Sequence, residues 1–210
     1  GASLVTPIVN IPDIVTPSGN AVSGLGSVTT RRFNGGTLTA SDDSGNFTIA
    51  AAGGVIDQSG SSSTFSGSFA DDAGDTGKLT IKNSGGAGQG RVILTGTNTH
   101  TGGTTVLAGA TLQIQNAAAL GSGALSLLGT PTVAASLSVT GNTTITNNLF
   151  VYGDPIIDVA SGVTTTISGV IADDVSGPGD IEKTGTGTLV LSGQNTYTGG
   201  TIVTDGILRA

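Results

Sequence analysis

The feature that most restricts the fold is a segment that occurs twice. Arg91–Val106 (RVILTGTNTHTGGTTV) falls without a gap on Thr188–Val203 (TLVLSGQNTYTGGTIV), so that Asn98 lies on Asn195 and His100 on Tyr197. The likeness continues into Ala108-Gly109 and Asp205-Gly206. Upstream, Phe65–Asp72 (FSGSFADD) falls on Ile167–Asp174 (ISGVIADD), with a short insertion between the two blocks. There Gly77–Gly85 takes the place of Gly179–Gly185, which makes Lys82 the expected counterpart of Lys183. The chain divides accordingly into an N-terminal cap or edge segment (1–45), a first repeat unit (46–145) and a second, truncated unit (146–210). Self-similarity on this scale predicts a stack of like units, each burying its apolar face against its neighbours.

The residues available fit a thin stack better than a globular core. Of 210 residues 36 are Gly, five Phe and two Tyr, with no Trp, Met or Cys, so the interior must be aliphatic. Glu182 is the single glutamate and Lys78, Lys82 and Lys183 are the lysines, which removes the usual surface-helix formers. The remaining acidic residues are Asp, a turn former. A Gly- and Ser-rich chain of low charge also invites a disordered reading, but a mean hydropathy of +0.24 and recurrent β-branched residues oppose it. Without cysteine, disulfides, Cys-ligated zinc and thiol catalysis are excluded, and stability must come from stacking. The absence of Met predicts a processed product or an excised piece. A C-terminus one strand past the second motif predicts a stack cut within its run.

Strands are read from alternation. Leu189 and Leu191 share one face, with Thr188, Val190 and Ser192 on the other, and Val92 and Leu94 repeat that pattern. Leu112 and Ile114, Leu125 and Leu127, Val133, Leu137 and Val139, Ile145 and Leu149, and Ile202 or Val203 continue as short apolar segments between Gly, Asn or Ser. The connections lack tight hairpin signals and the units are similar rather than mirrored, so parallel stacking is expected. The Thr-Gly-Gly-Thr segments Thr101–Thr104 and Thr198–Thr201 mark sharp turns. Asn98 and Asn195 beside them are read as corner residues that bond their own backbone and tolerate a left-handed conformation. Pro7, Pro12 and Pro17 suggest an extended edge, cap or linker near the N-terminus.

On these residues the chain resembles a known family. Gly185–Leu208 (GTGTLVLSGQNTYTGGTIVTDGIL) is similar to the autotransporter-associated β-strand repeat, with the first copy departing at His100, where the second has an aromatic residue. The resemblance implies an all-β, right-handed parallel β-helix in the passenger region of a type V secreted bacterial protein. It further implies a signal peptide upstream, a translocator barrel downstream in the same precursor, a secreted or cell-surface location anchored through that barrel, and repeats that assist folding during secretion.

The candidate chemistry is sparse. His100 sits at a position that varies between the repeats, and is expected as a partly exposed side chain packed over a turn rather than as a member of a Ser-His-Asp triad. One His without Cys builds no metal cluster. Asp42-Asp43, Asp71-Asp72 and Asp173-Asp174 are the candidates for glycosidase-type carboxylates, because β-helices also carry lyases and hydrolases. Two of the pairs are repeat equivalents and none has basic or aromatic company in sequence, so solvated turns are expected. Asp71, Asp72 and Asp75 follow no calcium-loop spacing. Gly88-Gln-Gly90 and Gly177-Pro-Gly179 precede no helix and are read as turns, not phosphate loops. Arg31-Arg32 is expected as a solvated strand edge.

No catalytic, cofactor-binding or metal residue is therefore expected, and no cofactor. A net charge of −7 and a pI near 4.2 disfavour nucleic acid and anionic membrane surfaces, and no segment is apolar over a bilayer's span, so neither nucleic acid binding nor direct membrane insertion is expected. The function expected is a noncatalytic scaffold for surface adhesion, aggregation or host contact, through a host receptor, matrix, glycan or self-association. The receptor-binding part of a secreted toxin-like effector and a glycan-active enzyme are the alternatives.

Overall fold

The computed structural model describes residues 9–11, 30–86 and 90–210. Most of the expected cap, with Pro7, Pro12 and Pro17, lies outside the described residues, as does Gly88. The chain winds as short strands of three or four residues. β1 (Val9–Ile11) and β2 (Thr30–Phe33) are followed by β3 (Thr37–Thr39), β4 (Asn46–Ile49), β5 (Gly54–Asp57) and β6 (Ser62–Phe65). Next come β7 (Phe69–Asp71), β8 (Leu79–Lys82), β9 (Arg91–Leu94), β10 (Thr104–Leu107), β11 (Thr111–Ile114), a 3-10 turn at Ala117–Leu120, and β12 (Leu125–Leu128). The remainder are β13 (Ser136–Val139), β14 (Thr143–Ile145), β15 (Leu149–Tyr152), β16 (Ile156–Val159), β17 (Thr164–Ile167) and β18 (Ile171–Asp173). They end with β19 (Ile181–Thr184), β20 (Thr188–Leu191), β21 (Thr201–Val203) and β22 (Ile207–Arg209).

Every strand pairs in parallel with strands one turn away, which makes the molecule a three-sided β-solenoid. One face stacks β3, β5, β8, β10, β12, β15 and β18, and the next stacks β6, β9, β11, β13, β16, β19 and β21. The third face opens with β1, β2, β4 and β7 and closes with β14, β17, β20 and β22. Between them it is irregular but unbroken: Thr99 N donates to Phe69 O at 2.8 Å, Asn98 N to Ala118 O at 2.9 Å and Ala117 N to Thr143 Oγ1 at 2.9 Å. Pairing also crosses the expected boundary at 145/146 without interruption, through β12–β15, β13–β16 and β14–β17.

The core consists of ladders in which like residues sit above one another. Ile56, Ile81, Val106, Leu127 and Val151 form one such register, all fully buried. Each aliphatic side chain removed from water in this way contributes roughly 1.5–3 kcal/mol. The expected inward residues Leu189, Leu191, Val92, Leu94, Leu112, Ile114, Leu125, Leu137, Val139, Ile145 and Leu149 are all in this core. Val133 is not: it is half-buried in the loop between β12 and β13. Ile202 and Val203, at 57% and 46% exposure, also differ from expectation, because β21 has a pairing partner only in β19. At the other end of the stack four phenylalanines replace aliphatics. Phe47 stacks on Phe33 and Phe69 with ring centroids 5.3 and 4.8 Å apart, and Phe65 meets it edge-on.

The two repeat units do not occupy the same faces. β7, β8 and β9 lie on the third, first and second faces, whereas their sequence counterparts β18, β19 and β20 lie on the first, second and third. The second copy is thus carried one face further round the solenoid. The expected match of Lys82 with Lys183 needs correction by one residue. Aligned strand by strand, with Leu79 on Ile181, Lys183 falls on buried Ile81 and Lys82 on Thr184. Because alternate residues point to opposite sides, the slip places Lys82 outside and Lys183 inside. The insertion then falls between β8 and β9.

Candidate functional site

The two repeat corners hold the densest polar chemistry, and both are built alike. Asn98 is buried, and its amide bridges coils: Oδ1 accepts Phe69 N at 2.9 Å, and Nδ2 donates to Ala119 O at 2.6 Å. Asn195 Oδ1 accepts Ile171 N at 3.0 Å, and Ile171 is the counterpart of Phe69. Neither Asn has a positive φ, so the corner role expected for them is corrected: they connect successive coils rather than turning the backbone left-handed. That conformation belongs to Gly103, at φ +85°.

Asp71 and Asp173 are not solvated turn residues either. Each ends a strand and grips the Thr-Gly-Gly-Thr segment one coil on. Asp71 accepts Thr101 N at 3.0 Å, Thr101 Oγ1 at 2.7 Å and Gly77 N at 2.7 Å. Asp173 accepts Thr198 N at 3.1 Å, Thr198 Oγ1 at 2.6 Å and Gly179 N at 3.1 Å. For Asp71 desolvation raises the pKa, but the donors from Thr101 and Gly77 outweigh it and the net direction is down. Thr198 and Gly179 lower that of Asp173. A carboxylate so engaged is a weak base with its lone pairs occupied, which suits a clamp and not proton transfer.

The other carboxylates are similarly engaged. Asp42 Oδ1 accepts Thr64 N at 2.7 Å and Asp43 Oδ1 accepts Gly45 N at 2.7 Å. Asp174 closes its own turn through Ser176 N and Oγ. Two of the six form ion pairs that were not legible in sequence: Arg31 lies 3.1 Å from Asp43 and Arg32 2.5 Å from Asp72. This corrects the expected solvated Arg pair. Arg31 is only 8% exposed, with its guanidinium 5.5 Å from the Phe47 ring centre, and a Cβ at Gly45 would overlap it. Asp75 serves the turn after β7, its N–H donating to Asp72 O at 2.9 Å. Among the described residues no group of three or more His, Cys, Asp or Glu is disposed to hold a metal.

His100 departs most from expectation: it is fully buried. Thr104 Oγ1 donates to Leu120 O at 3.0 Å, so at 2.9 Å it accepts from His100 Nε2, which therefore carries the proton. Tyr197 makes the corresponding contact with Thr201 at 2.6 Å. No Ser stands in a nucleophile's relation to His100 in these contacts: Nε2 donates to Thr104, and Nδ1, the nitrogen that could act as base, has no hydrogen-bond partner. Lys183 is another buried polar group. Its ammonium turns to the corner carbonyls of Thr184, Gly185 and Asp205, at 2.5, 2.7 and 3.3 Å. Burial lowers its pKa, opposed by the nearby Asp158 and Asp205.

With the interior chemistry committed to stacking, what is free to meet a partner is the exterior. The loop between β12 and β13, tied by a bridge between Thr130 and Val133, overhangs a groove of about 280 Å³ against Thr111, Ser136 and Ile156. Phe150 on β15 is 37% exposed, and Val175, at the tip of the loop after β18, is fully exposed.

The passenger-associated-transport-repeat family model matches residues 87–114 and 181–210, the two segments that contain the corners. Over 78 residues, 36% of the chain, the sequence is 47% identical to an adhesin, the BmaC autotransporter of Brucella suis biovar 1 (strain 1330). Both corner segments are similar to autotransporter passenger sequence. The chain's match spans about 2% of the length of that adhesin. No solved structure matches the chain. The second repeat window includes β19 to β22, whereas the first begins after β8, at the insertion that separates β8 from β9.

Proposed function

We propose that this passenger segment is a noncatalytic scaffold at the bacterial cell surface, one that displays its loops for adhesion, aggregation or host contact. The observation that carries the reading is the 47% identity to an autotransporter adhesin. It is supported by the Asp and Asn side chains of the repeat corners, which a catalytic reading would need free and which bond adjacent coils instead. In this reading the precursor also supplies a translocator barrel that anchors the passenger in the outer membrane. Pairing each strand on its neighbour assists folding during secretion, since a coil that has formed offers the next one an edge on which to pair.

The test is binding of the 210-residue chain, immobilised on beads, to host cells, matrix proteins and a glycan array, with an unrelated β-solenoid as reference. Binding above the reference is expected. Binding equal to the reference removes the adhesive reading, and turnover of any polysaccharide in a hydrolase and lyase panel removes the noncatalytic one.

A further inference from the structure

The buried imidazole has one nitrogen the stack does not use. His100 Nδ1 is closed off from solvent and has no hydrogen-bond partner. A single methyl at Gly121 would lie 2.9 Å from Nδ1 and 2.5 Å from His100 O. The Nε2 proton is held by Thr104, whose own hydroxyl proton is used on Leu120 O. The next proton can go only to Nδ1, where it would place a charge inside the solenoid, with the Phe69 carbonyl and Asp71 as the groups that favour it against desolvation.

Few groups would compensate. From β7 the carboxylate of Asp71 is the charged group in range, and its oxygens already accept from Thr101 and Gly77. The approach to β8 carries Lys78, which is exposed and of the wrong sign. The 3-10 turn, its exit at Gly121 and Ser122, β10, and Asn147 of the overlying coil contribute carbonyls, amides and hydroxyls. At the second corner Tyr197 fills the same position with a phenol, which has no proton to gain in this range.

We propose that His100 makes the first repeat corner an acid-labile joint in the solenoid, which the second corner lacks. Desolvation lowers the pKa of His100 below 6.5, and the Phe69 carbonyl and Asp71 offset this only in part. The folded corner therefore binds the proton less readily than the open one. The closed form is fully favoured above pH 6.5 and loses ground as pH falls toward the folded value, by up to about tenfold in the opening equilibrium per pH unit.

The experiment is an NMR titration of the His100 Cε1–H resonance in the 210-residue chain, with amide-exchange protection followed for 98–104 and 117–124. Protection factors, corrected for intrinsic exchange, are compared between pH 7.5 and 5 with His100→Gln, which keeps a donor for Thr104, and His100→Tyr, which installs the residue of the second corner. The proposal predicts an imidazole that stays neutral below pH 6.5 in the closed form, and protection that falls with acid in the natural chain but is flat in either variant. Titration at or above 6.5 without loss of protection would overturn it. So would equal acid-dependent loss in His100→Gln. Should His100→Tyr fail to fold, the Gln variant and the titration decide.

Discussion

An inward lysine in an aliphatic ladder is costly unless its ammonium can leave the core, and Lys183 shows how this is arranged. It sits in register between Ile157 and Val203, with its charge delivered to three carbonyls at the corner. Since buried charges often give no net stabilisation over apolar residues of similar size, Lys183→Met is expected to be neutral or to stabilise by about 1–2 kcal/mol in urea unfolding. A loss of stability would mean that the carbonyl contacts exceed the desolvation cost. The Asp clamps behave oppositely with pH. Asp71 and Asp173 both have lowered pKa values, so their contribution is complete above about pH 3.8 and is lost as acid carries the pH through the folded values. Asp71→Asn should therefore reduce the difference between urea midpoints measured at pH 5 and pH 3. Sequence made these residues visible but not their direction. Lys183 and Lys82 are one position out of register, and in a strand one position is the difference between core and solvent. His100 was legible as a repeat variant, but its burial depends on Leu120 and Gly121, which the repeat alignment does not include. The pairing of Arg32 with Asp72 joins residues 40 apart, a separation no local pattern encodes.

At the scale of the strand, period-two alternation was sufficient to find most of the core, because a solenoid strand has one dry side and one wet side and little else acts on it. It failed where that condition fails: Val133 lies in a loop, and Ile202 and Val203 are paired on one side only. The third face illustrates the limit differently, since the 98–100 segment and the 3-10 turn replace strands there without interrupting the stack. The aromatic end of the core should be the most sensitive to truncation. Phe47 touches Phe33, Phe65, Phe69 and Arg31, so Phe47→Ala is expected to cost about 3–5 kcal/mol, against about 2–5 for Leu127→Ala in the aliphatic middle. Urea midpoints of the two variants check this. Phe47→Ala should additionally expose Arg31 and weaken its pairing with Asp43.

For the whole molecule, the pairing makes a specific kind of deletion tolerable. Thr104, Leu125 and Leu149 share one register, so removing 125–148 would bring β15 onto β10 and β16 onto β11 with the ladders of the first two faces still continuous. That variant is expected to remain folded by circular dichroism, with a smaller unfolding free energy, whereas removing 125–135 should not, because it takes β12 from between β10 and β15 while β13 still follows. Both deletions unfolding alike would mean that the coils are not interchangeable. The rotation of the second repeat by one face has a consequence for anything outside. Were each unit a whole number of turns, its corners would line up along one edge, like the teeth of a comb, and a rod of them would have a front and a back. Stepping on by one side, they instead climb around the axis as the treads of a spiral stair do, and a longer run of such units would offer the same corner to every direction of approach.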